Sequence, residues 1–170
     1  MAAKLSPFRT AVYVGLASAF GLGLAPVGPG TFGALLGVLI HVMTLNWSHP
    51  DGTVVVLLVA LGIVSTANWL LTPFAVSYWR QPDPSHFVLD EVAGYLVVAI
   101  LCPFMTTWYW IAAGFLLFRV LDIVKPPPAR QIDRDWKGAA GILCDDLVSG
   151  AYAAGALWAL RFGATARGWL

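Results

Sequence analysis

GTVVVLLVALGIVSTANWLLTPFAVSYW (Gly52–Trp79) is a run of 28 residues without Asp, Glu, Lys or Arg. A charge at the centre of a bilayer costs about 2.5–3.5 kcal/mol on insertion scales, so a hydrocarbon solvent strips charge from stretches of this length. The same depletion recurs outward along the chain, in Thr10–Pro50, Val92–Phe118 and Leu147–Leu160. Over all 170 residues, 59% are hydrophobic and only 11% charged, against about 25% charged in a soluble domain. Mean hydropathy is +0.76. These features read as an integral membrane protein; the alternative is a soluble helical protein with a very apolar core.

Other classes fall away. Low charge with 13% aromatic residues is the reverse of the disordered composition. A net charge of +1 supplies no basic field for nucleic acid. Cys102 and Cys144 form no disulfide framework and no CxxC metal spacing. No repeat or linker divides the chain, so residues 1–170 are read as a single domain.

Six apolar segments are drawn: Ala11–Leu22, Phe32–Trp47, Thr53–Leu71, Glu91–Pro103, Trp108–Val124 and Asp146–Leu160. Lipid-exposed backbone must satisfy its own hydrogen bonds, and no alternating barrel pattern is present, so the segments are expected to be helical. A full span needs about 20 residues, and only the third and fifth approach it. The expected fold is all-α, a polytopic membrane bundle of about four to six helices with a polar site built from three loops on one side. Gly33 and Gly37, and Gly15, Ala19 and Gly23, are spaced for close helix packing. Trp47, Trp69, Trp79, Trp108 and Trp110 are read as lying near segment ends, as an interfacial belt would place them. Lys4, Arg9 and the apolar stretch to Leu24 imitate a secretory signal; the segment is read as retained, because the loop after it looks functional.

The polar residues fall into three connections: Gly21–Thr31, Thr72–Glu91 and Arg119–Asp146. If every segment crosses, these join segments one to two, three to four and five to six, and parity brings them to one face. Two acidic doublets, Asp90-Glu91 and Asp145-Asp146, are read at helix starts. Acids cap helix N-termini, but adjacent like charges also raise each other's proton affinity until a cation neutralises them. Oxygen ligands of this kind suit Mg²⁺. Asp122 lies between Arg119 and Lys125 at helical spacing, either as a boundary salt-bridge ladder or as part of the same site. Lys125, Arg130, Arg134 and Lys137 follow, as positive-inside anchors or as phosphate ligands. Gly30 and Thr31 open a helix, where free N–H groups can face an anion. No GxSxG, P-loop or Cys-x5-Arg loop is present, and His41, His49 and His86 lack ligand spacing. Metal-assisted attack of water on phosphorus is the simplest reaction these residues support. A transporter or divalent-cation conduit is the alternative class. Transfer of a phospho-alcohol from a CDP-linked lipid lacks its spaced Asp motif.

Four stretches, Gly23–Gly33, Asp90–Gly94, Phe118–Pro126 and Gly141–Asp146, together resemble the bacterial phosphatidylglycerophosphatase A family. The resemblance spans roughly Gly21 to Gly155, with one departure, Gly138-Ala139-Ala140-Gly141, where the family tends to show Gly-Gly-x-Gly. It implies an all-helical, Mg²⁺-dependent phosphatase of the bacterial inner membrane, multi-pass, with its active site facing the cytoplasm. The implied substrate is phosphatidylglycerophosphate and the lipid product phosphatidylglycerol. The family's acidic positions map onto Asp90, Glu91, Asp122, Asp145 and Asp146, and its basic positions onto Arg119 and Lys125.

Overall fold

The computed structural model describes residues 6–47 and 50–168; Lys4 lies outside them. The described residues form seven α-helices and no strand. These are α1 (Pro7–Ala17), α2 (Pro29–Trp47), α3 (Pro50–Trp79), α4 (Leu89–Leu101), α5 (Trp108–Val124), α6 (Ala129–Asp135) and α7 (Ala139–Ala166). A 3-10 turn, Leu22–Leu24, lies between α1 and α2.

Local chemistry explains the boundaries. α1 begins with Pro7 in its first turn, where a missing N–H costs nothing, and the Ser6 hydroxyl accepts from Arg9 N at 3.4 Å. α5 stops at Val124 because Pro126, Pro127 and Pro128 follow and cannot continue a helix. α3 continues through Pro73, although the ring removes one backbone bond. Ring contacts hold the part beyond it: Phe74 meets Tyr13 of α1 with centroids 5.2 Å apart and Tyr78 at 5.3 Å.

α4 is the centre of the bundle and packs against α2, α3, α5 and α7. Nine of its residues are buried, from Leu89 to Ala99. Gly33 and Gly37 of α2 lie against it: a Cβ at Gly33 would meet Val88 O at 2.7 Å, and one at Gly37 would meet the Tyr95 ring at 3.0 Å. The α4–α7 crossing is tighter still. A Cβ at Gly150 would collide with Gly94 O, and one at Gly94 would meet the Phe118 ring at 2.6 Å and Asp146 O at 2.8 Å.

Two described helices are long and apolar enough to cross a membrane, over Pro29–Asn46 and Gly52–Trp79. A soluble core helix would be covered on all sides, yet only 17% of the α3 window is buried. Val55, Val59, Ile63, Trp69 and Leu70 turn outward, as lipid-facing residues do. Some 13 residues at 1.5 Å each make α4 about 20 Å long, short of a 30 Å hydrocarbon core. The parity argument needs every segment to cross, and neither α4 nor the 11-residue α1 reaches.

Several expectations are corrected. Among the described residues the helices number seven rather than four to six, because charged Ala129–Asp135 forms a short helix that the search for apolar runs passed over. α7 starts at Ala139, so Asp145 and Asp146 stand well inside a helix rather than at its start. The ladder of Gly15, Ala19 and Gly23 is not one helix face, since α1 ends at Ala17 and Ala19, Phe20 and Gly21 all have positive φ. Trp69 falls inside α3 rather than near a segment end.

Candidate active site

Six of the nine acidic residues line one cavity of about 250 Å³: Asp83, Asp90, Glu91, Asp122, Asp145 and Asp146. Arg119 and Lys125 line it too, with Gly28 just before α2 and Pro29 and Gly30 at its start. Asp90 and Glu91 stand in the first turn of α4. Arg119 and Asp122 come from the last turns of α5, and Asp145 and Asp146 from α7. Most of these groups therefore stand on helices; Asp83, Lys125 and Gly28 lie in connections.

The two bases are already matched. Arg119 Nη1 donates to Asp122 Oδ2 at 2.6 Å, one turn apart on α5. Lys125 Nζ donates to buried Asp145 Oδ2 at 2.5 Å and to Asp133 Oδ1 at 2.9 Å. Burial alone would lower the ammonium's pKa, but hydrogen bonds and charge from Asp145 and Asp133 outweigh it and raise it. Lys125 holds this position with a left-handed backbone, φ 47 and ψ 68. That conformation costs a non-glycine residue roughly 1–2 kcal/mol.

Four of the six wall acids remain without a cationic hydrogen-bond partner, and three of them, Asp90, Glu91 and Asp146, converge. Each offers an oxygen, and these oxygens all lie within 4.8 Å of one another. Burial first, and then the charges of Glu91, Asp146 and Asp83, push the Asp90 carboxyl well above the usual carboxylate range. Glu91 is raised as well, chiefly by burial. Glu91 Oε2, Asp145 Oδ1 and Arg119 Nε are buried with no partner. An unmatched buried charge is expensive until something neutralises it. Carboxylate oxygens converging on one point suit a hard divalent cation, so the donor set fits Mg²⁺.

Gly30 shows how closely this site is built. A Cβ there would coincide with Glu91 Oε1 and lie 3.1 Å from Arg119 Nη2, so only glycine lets the start of α2 approach the acids. Thr31 is not on the cavity wall; its N–H donates to Gly28 O at 2.9 Å. Arg130 and Arg134 are not brought to the cavity either. Arg130 Nη2 donates to Val124 O at 3.1 Å, and exposed Arg134 pairs with Asp135 at 2.7 Å. A fully exposed pair contributes little, so Arg134→Ala is expected to leave activity and melting temperature unchanged within error. Asp83 and Ser85 are wall residues that the sequence reading missed. Asp83 lies in a proline-flanked turn with no acidic neighbour in sequence, and its only signal was the sequence Pro82-Asp83-Pro84.

At the level of class, these features define an all-helical protein of membrane character that gathers carboxylates and cations round one cavity, as an enzyme handling phosphoryl groups does. The comparisons agree. The family model for Phosphatidylglycerophosphatase A matches residues 15–161, and the chain belongs to that family. Phosphatidylglycerophosphatase A of Escherichia coli (strain K12) is 35% identical over 144 residues, covering 84% of this chain and 80% of the relative. The protein of the same name from Haemophilus influenzae is 31% identical over 147 residues, covering 86% and 87%. A Bacteroides thetaiotaomicron protein provisionally named a phosphatidylinositol-3-phosphatase is 35% identical over 140 residues, covering 81% and 86%. No solved structure matches significantly. The chain is thus an enzyme, a phosphatase.

Proposed function

We propose that this phosphatase removes the terminal phosphomonoester of phosphatidylglycerophosphate, giving phosphatidylglycerol and phosphate, with Mg²⁺ held by Asp90, Glu91 and Asp146. One observation carries the reading: three mutually repelling acids share a cavity with two bases that are held by other acids. Bound there, Mg²⁺ supplies Lewis-acid polarisation of the phosphoryl group and acidifies water. The chain supplies the rest. Asp122 orients Arg119, whose buried Nε–H has no partner and is available to a phosphate oxygen. Asp145 orients Lys125, which adds a point charge. The N-terminal end of α2, entered through Gly28 and Gly30, presents the positive end of its dipole to the anion. Together these groups neutralise charge as it develops on the transferring phosphoryl group.

The reading extends to location: a multi-pass protein of the bacterial inner membrane, its cavity toward the cytoplasm. Five of the ten basic residues fall between Arg119 and Lys137, beside the site, and such clusters favour the cytoplasmic side. A cation conduit would space ionisable groups along a path through the bilayer; here six acids surround one cavity.

The test is phosphate release in detergent from phosphatidylglycerophosphate, phosphatidylinositol 3-phosphate and phosphatidic acid, with Mg²⁺ and with EDTA. Turnover is expected to be fastest on phosphatidylglycerophosphate. EDTA should suppress it at least a hundredfold, and added Mg²⁺ should restore it. Activity indifferent to chelation removes the metal; preference for another lipid moves the substrate.

A further inference from the structure

We infer that Asp133, on α6, is a positioning residue that acts on the phosphate site through Lys125. This rests on the function proposed above. Asp133 is not on the wall of the acidic cavity; it lines a smaller neighbouring one, with Trp136 and Lys137, and its side chain is 42% exposed. Its hydrogen bond to the site goes to the Lys125 ammonium, 2.9 Å from its Oδ1; its charge also reaches Asp83 and Asp145.

The argument is geometric. An ammonium carries three N–H donors on a flexible four-carbon stem, and one acceptor leaves it free to spin about that bond. Asp145 on α7 takes one donor and Asp133 on α6 takes a second. Two acceptors from two different helices define two of three tetrahedral directions, so the third N–H has one direction left. Lys125 lines the cavity, and that remaining donor is what it has to offer a phosphate oxygen. With Asp133 gone, the ammonium swings about Asp145 and its free donors average over many directions.

α6 does not need Asp133 to stay in place. Ala129 is buried, Arg130 Nη2 donates to Val124 O, and Tyr152 of α7 donates its hydroxyl to Pro127 O at 2.7 Å. A structural role and a positioning role therefore separate experimentally.

The experiment is a double-mutant cycle. Asp133→Asn and Lys125→Met are made singly and together, and kcat, KM and the inhibition constant for inorganic phosphate are measured in detergent with Mg²⁺. Asp133→Asn is expected to lower kcat/KM about tenfold and to weaken phosphate inhibition in parallel, with an unchanged melting temperature. In the Lys125→Met background the same change is expected to do nothing further. Asp133→Glu should recover most of the loss. Asp135→Asn, whose carboxylate pairs only with exposed Arg134, is the silent control. The inference is overturned by Asp133→Asn behaving as the wild type, by losses that multiply in the double variant, or by a fall in melting temperature that tracks the lost activity. The cycle is read on whichever lipid phosphate the wild type hydrolyses. A different preferred lipid therefore corrects the proposed substrate, whereas multiplying losses remove the role of Asp133.

Discussion

Asp90→Asn and Asp146→Asn each lower phosphatase activity by about 10³-fold, the scale of removing one preorganised charged group from a water-poor site, while leaving the metal-free protein as stable as before or more so. The two halves of this expected result have one cause. Both carboxyls are buried, and with Glu91 their oxygens lie within 4.8 Å of one another. Without a cation each disfavours the charged form of the others, so an isosteric neutral amide removes repulsion and can still donate to the neighbouring carboxylate. With a cation the same substitution removes a ligand. Thermal unfolding separates the halves without measuring activity. A ligand at a hundred times its dissociation constant stabilises the folded state by about 2.7 kcal/mol, or roughly 5–10 °C for a domain of this size. Mg²⁺ is expected to raise the wild-type melting temperature by that amount and to leave both variants unmoved. An undiminished Mg²⁺ shift in Asp146→Asn would falsify the assignment of that carboxylate as a ligand.

Gly150→Ala is the second large effect, and it acts one turn away from the chemistry. Gly94 follows Asp90 by four residues and Gly150 follows Asp146 by four, so each glycine lies one turn along from its acid, on the same helix face. The two helices meet there with no room for a methyl group: a Cβ on Gly150 would collide with the backbone carbonyl of Gly94. A carbonyl cannot rotate away as a side chain can, so α4 and α7 must separate. Overpacking of this kind costs about 1–3 kcal/mol, partly offset by about 1 kcal/mol of helix propensity. The rate should suffer more than the fold. The shift carries Asp90 and Glu91 away from Asp145 and Asp146, and a misplacement near 1 Å costs about a hundredfold. Gly155→Ala, on the same helix with nothing within 4 Å of the added carbon, is the matched control and should be neutral or slightly stabilising. Equal activity in the two variants would show that the crossing does not set the spacing of the acids.

The legible parts of the molecule share a physical character. Charge depletion and length marked the helices, because hydrocarbon and a packed bundle both penalise charge wherever it falls in the chain. α5 was drawn as Trp108–Val124 and is found there, since a Thr-rich start and three prolines bound it on either side. The acid doublets stood out because adjacent like charges are costly unless used. Asp83 and Asp133 did not stand out, since a single exposed Asp in a turn or a charged helix is ordinary. α6 was hidden for the same reason: Ala129-Arg-Gln-Ile-Asp-Arg-Asp135 has too few apolar residues to show a periodic face. The start of α7 was misplaced because the small residues Gly138–Gly141 read as loop, whereas Gly141 packs so close to Trp136 that an added Cβ would meet Trp136 O at 2.5 Å.

Read alone, the 170 residues determine an all-helical, apolar chain, its family, and the acids and bases it can bring to a phosphate, because solvation cost and residue chemistry are properties of local sequence. Which acid neutralises which base is another matter. Asp122 goes to Arg119 and Asp145 to Lys125, while Asp90, Glu91 and Asp146 are left facing one another. The Arg119–Asp122 match is local, one turn apart on α5, but the Lys125–Asp145 pair and the meeting of Asp90 and Glu91 with Asp146 depend on segments far apart in the chain, the latter on the glycine contact between α4 and α7. Coulomb energy follows separation in space, and only the packed bundle specifies that separation.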